Sequence, residues 1–158
     1  MSRIEFLLGD LSGLDGLSKA DLVVFGANDS RPFEGVAGYV DWRLCGRLSA
    51  LRLKHSFYGN QGEQVLLSCA DLSSIFRVFV FGLGASRELR KSRVIHMLEK
   101  ALRVLDLACA KQCYWAAPSI FHAPKLTDMF IESMGAACHG SSPRLLIDPS
   151  THGHLLKH

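Results

Sequence analysis

The stretch VFVFGLGASRELR, residues Val78 to Arg90, decides how the rest of the chain reads. Val78 to Phe81 are uniformly apolar, which suits a strand covered on both faces better than one with a wet side. Gly82 and Gly84 follow and permit a tight turn, and Ser86 has the short polar side chain of a helix N-cap. Beyond it Val94, Leu98, Leu102, Leu105 and Cys109 recur at helical spacing on one stripe. Strand, glycine turn and amphipathic helix together form the repeating unit of an α/β sandwich.

The same alternation extends in both directions. Ile4 to Leu8, Leu22 to Phe25, Val65 to Cys69, Tyr114 to Ala117 and Leu145 to Ile147 read as further strands. Val36, Val40, Leu44, Leu48 and Leu51 predict one helix, with Arg43, Arg47 and Lys54 on another stripe. A third helix is expected around Thr127, with Asp128 in its first turn; Leu126, Phe130, Met134 and Ala137 form its stripe, and Gly135 weakens it. Gly59 to Gly62 reads as a hairpin-like turn into the third strand, and Pro143 and Pro149 break up the C-terminal end. No repeat or linker divides the chain, so residues 1–158 are expected to form one α/β domain with a largely parallel or mixed central sheet.

Composition excludes several classes. With 48% hydrophobic residues, 21% charged and a net charge of +3, the chain is neither disordered nor strongly basic. The best apolar run, Ile75 to Leu83, is short for a membrane span and contains Arg77. Glu5 and Asp10 are unlike a secretory leader, so a cytoplasmic protein without a membrane partner is expected. Arg43, Arg47, Arg52 and Lys54, and separately Arg87, Arg90, Lys91 and Arg93, read as solvated helix faces; a nucleic-acid partner is not expected. Cys45, Cys69, Cys109, Cys113 and Cys138 are an odd set that reads as reduced, buried thiols. Zinc would need Cys109, Cys113, Cys138 and His139 to converge from three elements, and His152, His154 and His158 look like tail residues, so no metal is expected.

Three segments are candidates for ligand binding. Gly82, Gly84 and Ser86 could offer backbone amides to an anion at a helix start. Arg87 stands where a dinucleotide fingerprint needs its third glycine, so that reading fails. In the loop after the second strand, Asn28 and Asp29 suit ribose or base contacts, and Gly35, Val36 and Gly38 surround a helix start. Ser119 and His122 lie in the loop after the fifth strand, at the end where α/β sheets tend to bind ligands. A Ser119 or Cys113 nucleophile with His122 as base lacks any Gly-x-Ser-x-Gly elbow, so no catalytic residue and no cofactor is assigned.

Read in order, Leu22 to Phe25, FEGVAGYVDWRLCGRLSAL (Phe33 to Leu51), SFYGNQGEQVLLS (Ser56 to Ser68) and RVFVFGLG (Arg77 to Gly84) resemble the N-terminal domain of the leucine aminopeptidase, or cytosol aminopeptidase, family. Gly46 to Leu48 match its Gly-x-Leu, Phe57, Gly59, Gly62 and Glu63 its aromatic-x-Gly-x-x-Gly-Glu turn, and Gly82 to Gly84 its closing Gly-Leu-Gly, over about Asp21 to Ala108. The resemblance implies a macro-domain-like, three-layer α/β/α fold around a mixed sheet. It also implies that the family's two-metal chemistry belongs to a C-terminal domain. That domain's Asn-Thr-Asp-Ala-Glu-Gly-Arg signature does not occur in these 158 residues, whose fifteen acidic side chains are scattered.

The expectation is therefore a stand-alone, non-catalytic interaction, assembly or regulatory module. Its partner would be itself or a separate protein such as a peptidase. The alternative is an ADP-ribose or nucleotide-phosphate binding module. Phe25 to Asp29 and Gly35 to Gly38 are similar to macro-domain segments, whereas the loop Ser119 to Pro124 lacks the glycines that wrap a diphosphate.

Overall fold

The two most apolar runs pair with each other at the middle of the sheet. In the computed structural model, which describes residues 3–72 and 74–151, these are β2 (Ala20–Ala27) and β4 (Ile75–Gly84). The other strands are β1 (Glu5–Leu8), β3 (Gln64–Ser68), β5 (Cys113–Ala116) and β6 (Arg144–Ile147). They form one sheet in the order β1-β6-β5-β2-β4-β3. Every neighbouring pair is parallel except β3 with β4, so the sheet is mixed.

Alternation along the strands divides the core in two. Val23, Phe25, Phe79, Phe81 and Leu83 point to the face covered by α4 (Lys91–Leu107) and α5 (Leu126–Ala137). Phe25 sits edge-on to Phe130 of α5, with ring centroids 5.1 Å apart. Leu22, Val24, Val78 and Val80 point to the opposite face, under α1 (Leu11–Asp15), α2 (Gly35–Arg43) and α3 (Arg47–Leu53). The result is the three-layer α/β/α arrangement, with every residue of β2 buried.

Four local expectations need correction. The helix read through Val36 to Leu51 is two helices, because Cys45 and Gly46 take left-handed conformations (φ 53° and 80°) and turn the chain. Asp41 then reaches back to accept from the amides of Leu48 and Ser49, serving the start of α3 that lacks a local cap. The helix expected from Ser86 is a 3-10 turn at Ser86–Glu88, followed by α4 from Lys91. Helix α4 buries Val94, Leu98, Ala101 and Leu105, whereas Cys109 lies past its end at φ 53°. Of the cysteines only Cys69 and Cys138 are buried; Cys45 and Cys109 are exposed and Cys113 is intermediate. Helix α1 was not expected; Asp10 caps it by accepting from the Gly13 amide at 2.8 Å.

At the end of the sheet where β2 and β5 begin, β2 and β4 are joined by an ion pair. Arg77 grips Asp21 with both Nε (2.8 Å) and Nη2 (2.7 Å) and donates to the Ala108 carbonyl. The carboxylate raises the already high pKa of Arg77, so this side chain stays a cation. No helix among the described residues is long and apolar enough to cross a membrane.

Candidate functional site: the loop end of the sheet

Because β2, β4 and β5 are parallel, the loops after them leave from the same end. Residues 28–34, 85–90 and 117–125 therefore meet there, together with the turn at residues 59–63 that precedes β3.

Asp29 joins the first two loops. One carboxylate oxygen accepts from the Ser86 amide at 3.0 Å, and the other accepts from the Ser86 hydroxyl at 3.1 Å. The third loop reaches the same hydroxyl, for His122 Nε2 lies 3.0 Å from Ser86 Oγ and 3.7 Å from the Asp29 carboxylate. Burial alone would raise the Asp29 pKa, but the hydrogen bonds from Ser86 and the Arg87 amide outweigh it and hold the carboxyl below its ordinary value.

Serine, histidine and aspartate are thus together, yet not in the order of a nucleophilic triad. There the carboxylate orients the far ring nitrogen while the near one takes the serine proton. Here the carboxylate accepts the Ser86 O–H hydrogen bond itself, which leaves Oγ to accept from His122 in the tautomer that carries Nε2–H. Ser86 is also only 5% exposed. The cluster ties three loops together.

The first and third loops touch directly. Gly35, at φ 60°, packs so tightly on Ser119 that an added Cβ would come within 2.7 Å of the Ser119 Cβ. Beside this contact the Glu34 carboxylate accepts from the Phe121 amide at 2.6 Å. Glu34 is also the residue before α2, whose first turn has no side-chain cap. Between these lips remains a cavity of about 20 Å³, lined by Phe33, Glu34, Arg52, Ser119 and Ile120 among others, which is room for one water.

Arg52 lies beneath the first lip and is only 7% exposed, which corrects its reading as part of a solvated stripe. Nη1 donates to the Ser30 carbonyl and Nη2 to the Ala27 carbonyl at 2.9 Å, and the guanidinium stacks 4.4 Å from the Phe33 centroid. Its Nε has no partner among the described residues. Burial pushes the Arg52 pKa down, Arg31 adds to this and Glu63 opposes it. The remaining members of that stripe behave as surface residues, with Arg43 paired to Asp15 and Arg47 to Asp71.

The glycine turn of the second loop is filled from above. The amide of Gly82 donates to the Glu63 carbonyl and that of Gly84 to the Gly59 carbonyl. A Cβ on Gly82 would fall 1.9 Å from the Asn60 carbonyl oxygen, so only glycine fits. Glu63 in turn accepts from the amides of Tyr58 and Asn60, and Asn28 donates its side-chain amide to Asn60 at 3.0 Å.

Most of the residues singled out from the sequence accordingly gather at this end, in unlike roles. Asn28, Asp29, Ser86 and His122 bind one another or the turn; Gly35 and Ser119 form the contact between the lips. Val36 is fully buried under the sheet, and Gly38 packs on the Phe33 carbonyl. Cys113 is not at this end, because it starts β5 beside Asp21 while His122 follows β5. Burial, with Asp21 adding to it, pushes its thiol up to about 11, so it is a poor thiolate source. Glu34, Arg52 and Asn60 were not singled out as ligand candidates. A signal for Arg52 existed, since it follows Leu48 by four residues and shares its buried helix face. Among the described residues no three His, Cys, Asp or Glu side chains cluster as a metal site, and residues 152, 154 and 158 lie outside them.

This architecture is that of a macrodomain. The chain superposes on the macrodomain of Mycobacterium tuberculosis DarG with a TM-score of 0.67 at 12% identity, covering 94% of this chain and 99% of that one. The macrodomain of Thermus aquaticus DarG gives 0.58 at 13% identity, with 92% and 99% covered. A mutant of tomato leucine aminopeptidase gives 0.61 at 15% identity, covering 92% of this chain but 32% of the enzyme. The sequence model of the cytosol aminopeptidase family, N-terminal domain, matches residues 23–139. The chain belongs to that family, and it spans about a third of the length of the tomato enzyme. No curated protein sequence matches it.

Proposed function

We propose that this chain is a non-catalytic docking and assembly module in which the macrodomain-type cleft has been turned into an internal joint. The observation that carries this reading is the closure of the lips. Gly35 lies against Ser119 and Glu34 holds the Phe121 amide, so about 20 Å³ is left where a nucleotide would need several hundred. A carboxylate already occupies an amide that would otherwise be free for a phosphate. Meanwhile large apolar side chains stand in solvent, among them Trp42 (72% exposed) and Leu66 (53%). The partner is a second copy of the chain or a separate protein such as a peptidase, and its site of action is the cytoplasm, where exposed thiols such as Cys45 and Cys109 stay reduced.

Calorimetric titration with ADP-ribose tests this directly. A flat trace at millimolar ligand is expected, together with concentration-dependent association in sedimentation velocity. Saturable ADP-ribose binding by a strictly monomeric protein would overturn the reading.

One observation favours ligand binding as a second reading. The Arg52 guanidinium is buried beside the cleft and, among the described residues, has no carboxylate partner and one N–H unpartnered. If an anion belongs there, Glu34→Ala should release Phe121 and let ADP-ribose bind where the parent protein shows none. Silence from both proteins removes this alternative.

A further inference from the structure

Edge strand β3 has one partner, β4, and its outer side is unpaired among the described residues. The Gly82 amide donates to the Glu63 carbonyl at 2.9 Å and the Cys69 amide to the Phe76 carbonyl at 2.8 Å, one at each end of the ladder. Antiparallel alternation then turns the backbone groups of Glu63, Val65, Leu67 and Cys69 toward β4, and those of Gln64, Leu66 and Ser68 outward. Among the described residues only the Ser68 carbonyl is touched, by Arg47 Nη1 at 3.4 Å. Donors and acceptors alternating at strand spacing are matched by another extended strand and by little else.

Soluble proteins usually guard such an edge with a charge, a proline or a bulge. The sequence of β3 is Gln-Val-Leu-Leu-Ser, which has none of these. At the opposite edge β1 carries Glu5, which pairs with Arg144. On β3 the outward-facing Leu66 is 53% exposed, and Val65 and Leu67 are only partly covered by the core beneath α2 and α3.

We infer that β3 is the self-association edge of this protein, pairing antiparallel with β3 of a second copy about a two-fold axis at Leu66. The inference rests on the docking reading above. The strand is complementary to itself under that operation: Leu66 meets Leu66 and exchanges both backbone hydrogen bonds, Gln64 meets Ser68, and no like charges oppose one another along the ladder. The acidic end at Glu63 of one copy comes beside the end carrying Arg47 of the other, where Asp71 is already held in the Arg47 fork at 2.8 and 3.2 Å. A five-residue pairing falls short of the roughly 800 Å² per partner of a standard interface, so association is expected in the micromolar range.

Sedimentation velocity between about 1 and about 100 µM should show a monomer passing to a dimer. Over the same range, exchange of the Leu66 amide should slow about tenfold or more, which packing through a helix face would not produce. Leu66→Lys, at a half-exposed position, should fold normally and remain monomeric throughout, while Leu8→Lys on β1 should dimerise like the parent. A monomeric parent, a dimer that survives Leu66→Lys, or a dimer lost in Leu8→Lys but kept in Leu66→Lys overturns the assignment of β3. In the second and third cases docking through another surface still stands; if the parent is monomeric and also binds ADP-ribose, the docking reading fails as well.

Discussion

Backbone polar groups come to the surface at the loop end of the sheet and along the outer side of β3, and the chain treats the two places in opposite ways. At the loop end the amides of Gly82, Gly84, Ser86 and Phe121 are taken by Glu63, Gly59, Asp29 and Glu34. The carbonyls of Ala27 and Ser30 are taken by Arg52. Along the outer side of β3 the backbone groups of Gln64 and Leu66 have no partner among the described residues. The loop end of a parallel sheet is where ligands ordinarily bind, because amides and strand ends converge there. In this chain those groups are committed internally, and the surface still able to form hydrogen bonds lies at the sheet edge.

Substitutions at the loop end should grade that contrast. The largest effect is expected from Gly82→Ala, whose methyl group cannot coexist with Asn60 and must displace the turn at residues 59–63. A loss of at least about 3 kcal/mol in urea unfolding is expected; a cost within experimental error would mean the turn is not fixed on the sheet. Arg52→Ala leaves two buried carbonyls unpaired and strips the face of Phe33. A loss of about 2–3 kcal/mol should appear in the same measurement.

Ser86→Ala should cost about 1–2 kcal/mol and also change the acid limb of stability. Asp29 is held below its ordinary value of 3.8 in the fold, so its contribution is complete above that value and disappears as the pH falls through the lower folded one. Without Ser86 the hydroxyl donor is gone, and the Asp29 carboxyl should titrate at higher pH when followed by NMR; an unmoved midpoint would show that the clasp is not what depresses it. Glu34→Gln is the mildest, expected to cost under about 1 kcal/mol while speeding exchange of the Phe121 amide. Unchanged exchange would mean that the lips are held by the contact of Gly35 with Ser119 alone.

Much of the fold was legible because its signals are local. Continuous apolar runs gave β2 and β4, and helical spacing gave α4 and α5, since burial on one or both faces leaves a period in the sequence. The break between α2 and α3 was hidden, because Val36 to Leu51 keep their spacing through it and the turn depends on φ at Cys45 and Gly46. The start of α4 was misplaced for a related reason: Ser86 has the composition of a cap, but Asp29, 57 residues away, claims its amide and hydroxyl.

The placing of Asn28, Asp29, Gly35, Ser86, Ser119 and His122 in loops after strands could be read in advance, and the parallel pairing of β2 with β4 and β5 brings those loops to one end. Their roles could not be read in advance. Whether an amide after a strand is free for a ligand or filled by the protein depends on groups distant along the chain, such as Glu34 for Phe121 and Glu63 for Gly82.

The sequence by itself determined the family, the α/β alternation and several of the residues at the loop end, because motif spacing and apolar periodicity are properties of neighbouring positions. Only the tertiary structure decided that the lips are shut, that Arg52 is buried, and that β3 keeps its outer side open. Those outcomes depend on which distant donor meets which acceptor, and no local pattern encodes that meeting.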